Sequence, residues 1–246
     1  MSFDTTAGHT GSLKGACTLL EKVMGCELLW LACRHHIMEL ILSKVFTVCC
    51  GPSNGPDIPI FKRLRAAWGG IVYKDYLTLD LTESCEVFKK AALHSLKKVL
   101  SSDRQIRDDY QELVELTIVL LGSSTEVIHW RSPGPFLHAR WMAKLLYAMK
   151  IILFRNQKKT FKLTKVEETR LERFVLFGAL LYSKPWIEAP LAAEAPSLDL
   201  QLWSDLKNYE AIDAEVGKAA RSVLNVTCGT YLMKLLAGLC FLIRYQ

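Results

Sequence analysis

From residue 58 onward, apolar residues recur at helical spacing in one segment after another, and glycine, proline or short polar breaks separate the segments. A chain written this way must bury a stripe from each of many helices against its neighbours, so it folds as a helical bundle. Ile60 to Trp68 reads as a short basic helix carrying Lys62, Arg63 and Arg65. Val87, Phe88, Ala91, Ala92, Ser95, Leu96 and Val99 form the apolar face of a helix starting at Ser84. Further helices are expected over Arg107 to Leu121, Leu137 to Phe154, Lys165 to Tyr182, Leu198 to Asn208, Ala211 to Val223 and Thr230 to Ile243. Tyr73 to Leu81 has only weak alternation and reads as a loop, while Pro185, Pro190 and Pro196 mark a connection.

The first 50 residues are different. Ser12 to Met24 carries Leu13, Ala16, Cys17 and Leu20 at helical spacing, and Gly25 closes it. Glu27 to Cys33 is a short apolar run of the kind that makes a buried strand, and His36 to Val48 returns to helical period. Cys50-Gly51-Pro52-Ser53-Asn54-Gly55-Pro56-Asp57 then breaks the chain. The expected organisation is mainly α: a small α/β unit over residues 1–50 and a multi-helix bundle over 51–246.

Composition bounds the function. The net charge is +6, mildly basic, compatible with phosphate binding without indicating it. Eight cysteines at irregular spacing lie mostly in apolar runs, which suits buried free thiols, and no leader-like segment opens the chain. The longest uncharged runs, such as Phe174 to Ser183 and Leu235 to Ile243, fall well short of the roughly 20 residues of a membrane span, so a soluble protein is expected.

Three groups of residues carry possible chemistry. Cys33-x-x-His36 has metal-ligand residue types, with His9, His35 and the Cys49-Cys50 pair as possible completions, or it is a packing feature at a strand end. Arg140 and Lys144 share a helix face beside Trp141; this suits stacking on an unpaired base and holding its phosphate, or simply an amphipathic helix start. Arg155, Lys158, Lys159, Lys162 and Lys165 form a basic tract that either contacts phosphate or solvates a helix end.

Taken in order, Phe3-Asp4-Thr5-Thr6 with Thr10-Gly11, then Gly15-Ala16-Cys17, Cys33-Arg34-His35-His36, a long helical stretch and Arg140-Trp141 resemble a transposase of the hAT type. The resemblance covers about residues 1–160. It implies a ribonuclease-H-like core whose carboxylates bind Mg²⁺ or Mn²⁺, with a helical insertion near the DNA and a nuclear location. On that resemblance Asp4 is the second catalytic aspartate and Cys33 and His36 are the family's structural Cys-x-x-His. On the same resemblance Trp141 would stack on an extruded base, with Arg140 beside it; Lys144, Lys158 and Lys159 are the further DNA-binding candidates from the helix-face and basic-tract readings above.

The departures are His9 where the family has Asn, and the lack of counterparts for the first aspartate and the final glutamate. The chain therefore reads as a partial transposase copy, catalytically inactive and with no cofactor or metal expected. The alternative is a helical protein-interaction module, with an oligomer or another protein as partner.

Overall fold

The computed structural model describes residues 2–225, apart from 4–6, 12, 29–30, 54–57, 103–105, 125–127 and 135–139. Its architecture is set by one helix, Arg140–Leu153 (α7 in chain order). Met142 and every residue from Lys144 to Phe154 are buried, so this helix has no solvent face beyond its first turn. A helix apolar around its circumference must be enclosed by others. Those others are Arg34–Cys50 (α3), Pro59–Ala67 (α4), Asp108–Leu120 (α6) and Lys165–Phe177 (α9), all of which pack on α7. The α6 helix is itself buried without a break from Glu112 to Leu121, with Glu86–Leu100 (α5) covering its outer side.

The remaining described elements are short or peripheral. Ser2–Phe3 (β1) pairs in parallel with Leu31–Ala32 (β2), and between them lie Ala7–Thr10 (α1) and Ala16–Met24 (α2). Lys158–Phe161 (α8) rests beside α4; Ser183–Glu188 (α10) and Ala195–Tyr209 (α11) come after α9, and residues 214–225 form α12. The fold is mainly α. A two-residue strand pair is too short to define a sheet architecture.

Three expectations need correction. The break after Cys50 does not separate one core from another: Ile37, Met38, Ile41, Leu42, Val45, Phe46 and Cys49 of α3 join the same apolar core as α7 and α9. Residues 1–50 thus do not stand as a separate unit, because α3 needs α7 and α9 to cover its apolar stripe. On α5 the inward face is Phe88, Ala92 and Leu96, whereas Val87 is 76% exposed; the buried face is narrower than the apolar spacing predicts. Third, Pro185 ends no helix. The helical path runs from Lys165 to Glu188 through a π-turn at Gly178–Tyr182, where the Ser183 N–H reaches back to the Gly178 carbonyl. That wider turn uncouples the ladder just before the proline, whose ring would otherwise strike a carbonyl one turn back. The expected helix over Thr230 to Ile243 lies outside the described residues.

The π-turn also sets how close α9 comes to α7. A Cβ built on Gly178 would lie 2.4 Å from Cδ1 and 2.8 Å from Cδ2 of the fully buried Leu145. Glycine is required there by contact, not by backbone angle. Gly178→Ala is expected to destabilise the fold by about 1–3 kcal/mol through overpacking. The penalty should shrink in the background of Leu145→Ala, since the two changes relieve each other. Urea midpoints of the two single variants and the double variant test this; strict additivity would refute the contact as the cause.

Candidate nucleic-acid interface

The start of α7 is fixed by a carboxylate from a different helix. Glu39 on α3 accepts the backbone N–H of Trp141 at 2.9 Å and of Met142 at 3.0 Å, so an acidic side chain closes the electropositive end of α7. The same arrangement draws Trp141 inward. Its ring lies 5.7 Å from that of Phe46, and the Lys144 ammonium sits 3.9 Å from its centroid. Lys144 is only 1% exposed and donates to Ser53 Oγ at 3.2 Å.

Of the expected trio of Arg140, Trp141 and Lys144, Lys144 is withdrawn from solvent and Trp141 is half-buried. Lys144 is a buried cation held by two aromatic rings and a hydroxyl. The Arg140 side chain and Asp4 lie outside the described residues.

The basic tract divides into a structural member and a solvated group. Arg155 directs its guanidinium at the Ile152 carbonyl (2.8 Å), the Thr78 carbonyl (2.6 Å) and, more distantly, that of Leu77 (3.4 Å). It caps the end of α7 and pins the loop beneath, which withdraws it from ligand binding. Lys158, Lys159, Lys162 and Lys165 are all exposed. Phe161, buried, anchors the short α8, and Lys162 comes next in the left-handed region at φ 52°, turning the chain towards α9. At the start of α9, Thr164 and Glu167 form a reciprocal cap.

Sequence reading missed the neighbour. Helix α4 lies alongside α8, bound through Arg63, which donates to the Lys162 carbonyl at 3.0 Å and pairs with Glu167. Arg63 thereby seats α4 against the turn that carries Lys162, while Lys62 and Arg65 are exposed elsewhere on α4. Residues about a hundred positions apart in sequence meet at this bridge, and no linear pattern joins them. Arg65 is braced by the Tyr147 hydroxyl at 2.8 Å.

Cys33 caps α3 and His36 lies in its first turn, both half-buried. The imidazole that is held belongs to His35. Its Nε2 lies 3.0 Å from the Trp186 carbonyl, and its ring packs tilted against the Trp186 indole, with centroids 4.3 Å apart. Among the described residues no group of three or more His, Cys, Asp or Glu side chains is placed to hold a metal ion. The Cys49 and Cys50 thiols are each pushed up to about 12, chiefly by burial, so neither is a thiolate near neutrality.

A second polar group, also unread in the sequence, lies inside. Glu112 of α6 and Lys150 of α7 form an ion pair at 2.6 Å, and Lys150 also donates to the Arg131 carbonyl at 2.9 Å. Burial raises the Glu112 pKa and lowers that of Lys150 despite their mutual attraction. One turn along, Glu115 accepts from Gln111, from the His129 backbone N–H and from the His129 ring, whose Nδ1 lies 2.8 Å away. These contacts fasten residues 128–131 across α6. Apolar periodicity assigns Glu112, Glu115 and Lys150 to the solvent, so no pattern in the sequence marks them as interior.

Compared with known proteins, the chain matches no family model, no curated protein and no solved structure. Among the described residues no helix is long and apolar enough to cross a membrane.

The interior generates two expected outcomes. Lys150→Met should destabilise by about 3–5 kcal/mol because it strands a buried carboxylate. Glu112→Met with Lys150→Met should recover most of that loss, as read from urea unfolding. A double variant no better than the single would show that packing, not charge, sets the cost. The second concerns pH. The pKa of His35 lies below its ordinary value, first because of burial, so the fold favours the neutral ring. The unfolded chain takes up the proton first. The contribution of His35 is whole above pH about 6.5 and is lost as pH falls from there through the lowered folded value. His35→Gln should flatten the fall in stability between about pH 7 and pH 5; an unchanged slope would assign that fall to other groups.

Proposed function

We propose that this chain is a transposon-derived, hAT-like protein that binds the phosphate backbone of nucleic acid through the α4–α8 surface. The observation carrying the reading is the run of exposed cations Lys158, Lys159, Lys162 and Lys165 on and just after α8, beside α4. Flexible, exposed cations neutralise phosphates without a fixed geometry, and they release counterions when they do. The surface is not diluted by free carboxylates at its centre: Glu167 is engaged by Arg63, and Glu168 is buried near Lys165.

Descent from a hAT-type enzyme rests on the N-terminal motif residues. In this reading β1 and β2 are the edge of a ribonuclease-H-like core, and Cys33 and His36 stand behind it. Binding is proposed without catalysis. The resemblance supplies one catalytic carboxylate, Asp4, and two-metal phosphoryl transfer requires several to clamp both ions. Base stacking by Trp141 is not retained, because Lys144 already occupies a face of its ring. A nuclear location goes with the same descent.

The interaction-module reading draws on a different feature, the exposed Leu13, Leu20, Val23 and Met24 at and around α2. Salt separates the two. Affinity for labelled duplex or single-stranded DNA, followed by fluorescence anisotropy, should fall steeply between about 50 and 200 mM salt. Lys158→Glu with Lys159→Glu should lower the duplex salt slope by about 1.8, two phosphate contacts' worth. Binding indifferent to salt and to these lysines would favour the interaction module. With Mg²⁺ or Mn²⁺, no nicking is expected; cleavage that disappears in Asp4→Ala would restore the enzyme.

A further inference from the structure

Between the end of α3, the start of α4 and the first turns of α9, the described residues leave a cavity of about 450 Å³. One helix contributes Phe46, the next Ile60 and the third Leu171; all three side chains are buried and apolar. The half-buried Ile58 lines it as well. An apolar lining of this size with a few polar groups is the usual form of a small-molecule site.

Its polar groups are unequal. Both oxygens of Glu167 are engaged, one by Arg63 and the other by the Thr164 N–H and hydroxyl. Burial pushes the Cys50 thiol up to about 12, so it adds no negative charge near neutrality. The Ser53 hydroxyl accepts from the buried Lys144. Arg170 remains, an exposed guanidinium on the cavity wall with no ion-pair partner among the described residues. Helix α4 starts at the same wall, and no side chain caps its electropositive end. The opposing end of α3 is closed by the Gly51 N–H on the Thr47 carbonyl. We propose that this cavity binds a small amphipathic organic acid, its apolar body against Phe46, Ile60 and Leu171 and its single carboxylate on Arg170.

Size and charge select this class. A cavity of about 150 Å³ holds benzene, so one of about 450 Å³ has room for two fused rings and a carboxylate. A cation would meet Arg170 and the uncapped helix end. A ligand with several charges would strand some of them against the apolar wall, at a desolvation cost nothing there offsets. An uncharged ligand would leave Arg170 without a role in recognition. The site does not depend on nucleic-acid binding.

The test titrates 2-naphthoate, and separately its neutral counterpart 2-naphthylmethanol, into the full chain with isotope-labelled isoleucine and leucine methyl groups, read by NMR. Naphthoate should shift the Ile58, Ile60 and Leu171 methyls saturably. It should bind about tenfold or more tightly than the alcohol, the worth of one hydrogen-bonded charge. Arg170→Gln, an exposed change, should erase that preference by weakening the acid and leaving the alcohol as it was. Ile58→Trp, which fills the cavity from its edge, should exclude both. No saturable shift of these methyls would overturn the proposal. So would equal affinity for acid and alcohol, or naphthoate binding untouched by Arg170→Gln. Shifts centred on Leu13, Leu19 and Leu20 would assign the ligand to the exposed face of α2 and overturn it equally.

Discussion

The burial of α7 on every side is the constraint to which the other long helices answer. Once Lys144 to Phe154 are removed from water, each neighbouring helix must lie along one flank of α7, and the two lysines within that span must find partners inside. They do so in different ways. Lys150 meets the carboxylate of Glu112 and a main-chain carbonyl; Lys144 lies over Trp141 and Phe46 and donates to Ser53. Apolar packing brings α3, α6 and α9 to the axis without fixing their rotation, and polar contacts restrict it. Glu39 sets where α3 meets the first turn of α7, and Glu112 sets the register of α6 against its middle.

The helical character was legible because it is written in apolar periodicity, and so were most breaks. What was not legible depends on distance in three dimensions. The chain break at Cys50 has the glycine and proline content of a domain boundary, yet α3 finds its covering surface more than 90 residues later in α7 and α9. Pro185 reads locally as a terminator, and only the π-turn ahead of it lets the helix continue. Lys144 shows the same limit for function. In sequence it is a cation one turn from an indole, equally suited to phosphate or to a core. The neighbour that decides is Phe46, on another helix.

The basic surface has a similar origin. Lys158 and Lys159 could be read as exposed from their polar surroundings, but α4 joins them only because Arg63 reaches the Lys162 carbonyl and Glu167. That bridge places a cation inside the surface in a structural role and leaves the outer lysines to the solvent. Arg155, the first member of the linear tract, is likewise taken up by the fold. A count of positive residues along the chain thus overstates the tract at one end and omits Arg63, which holds it from α4.

The manner in which Arg155 and Gln157 hold residues 71–80 has a consequence for how this molecule tolerates change. The loop is tied through its main chain. Its N–H groups at Leu77 and Leu79 donate to the carbonyls of Leu153 and Leu120, at the ends of α7 and α6. Its carbonyls at Val72, Asp75 and Thr78 accept from Gln157 and Arg155. Main-chain anchoring is blind to side-chain identity, so positions such as Lys74, Asp75 and Asp80, which face solvent, are open to drift while the path of the loop is kept. The two residues that do the holding lie elsewhere in the sequence. Substitution at these exposed positions therefore leaves both the path of the strap and its fasteners in place.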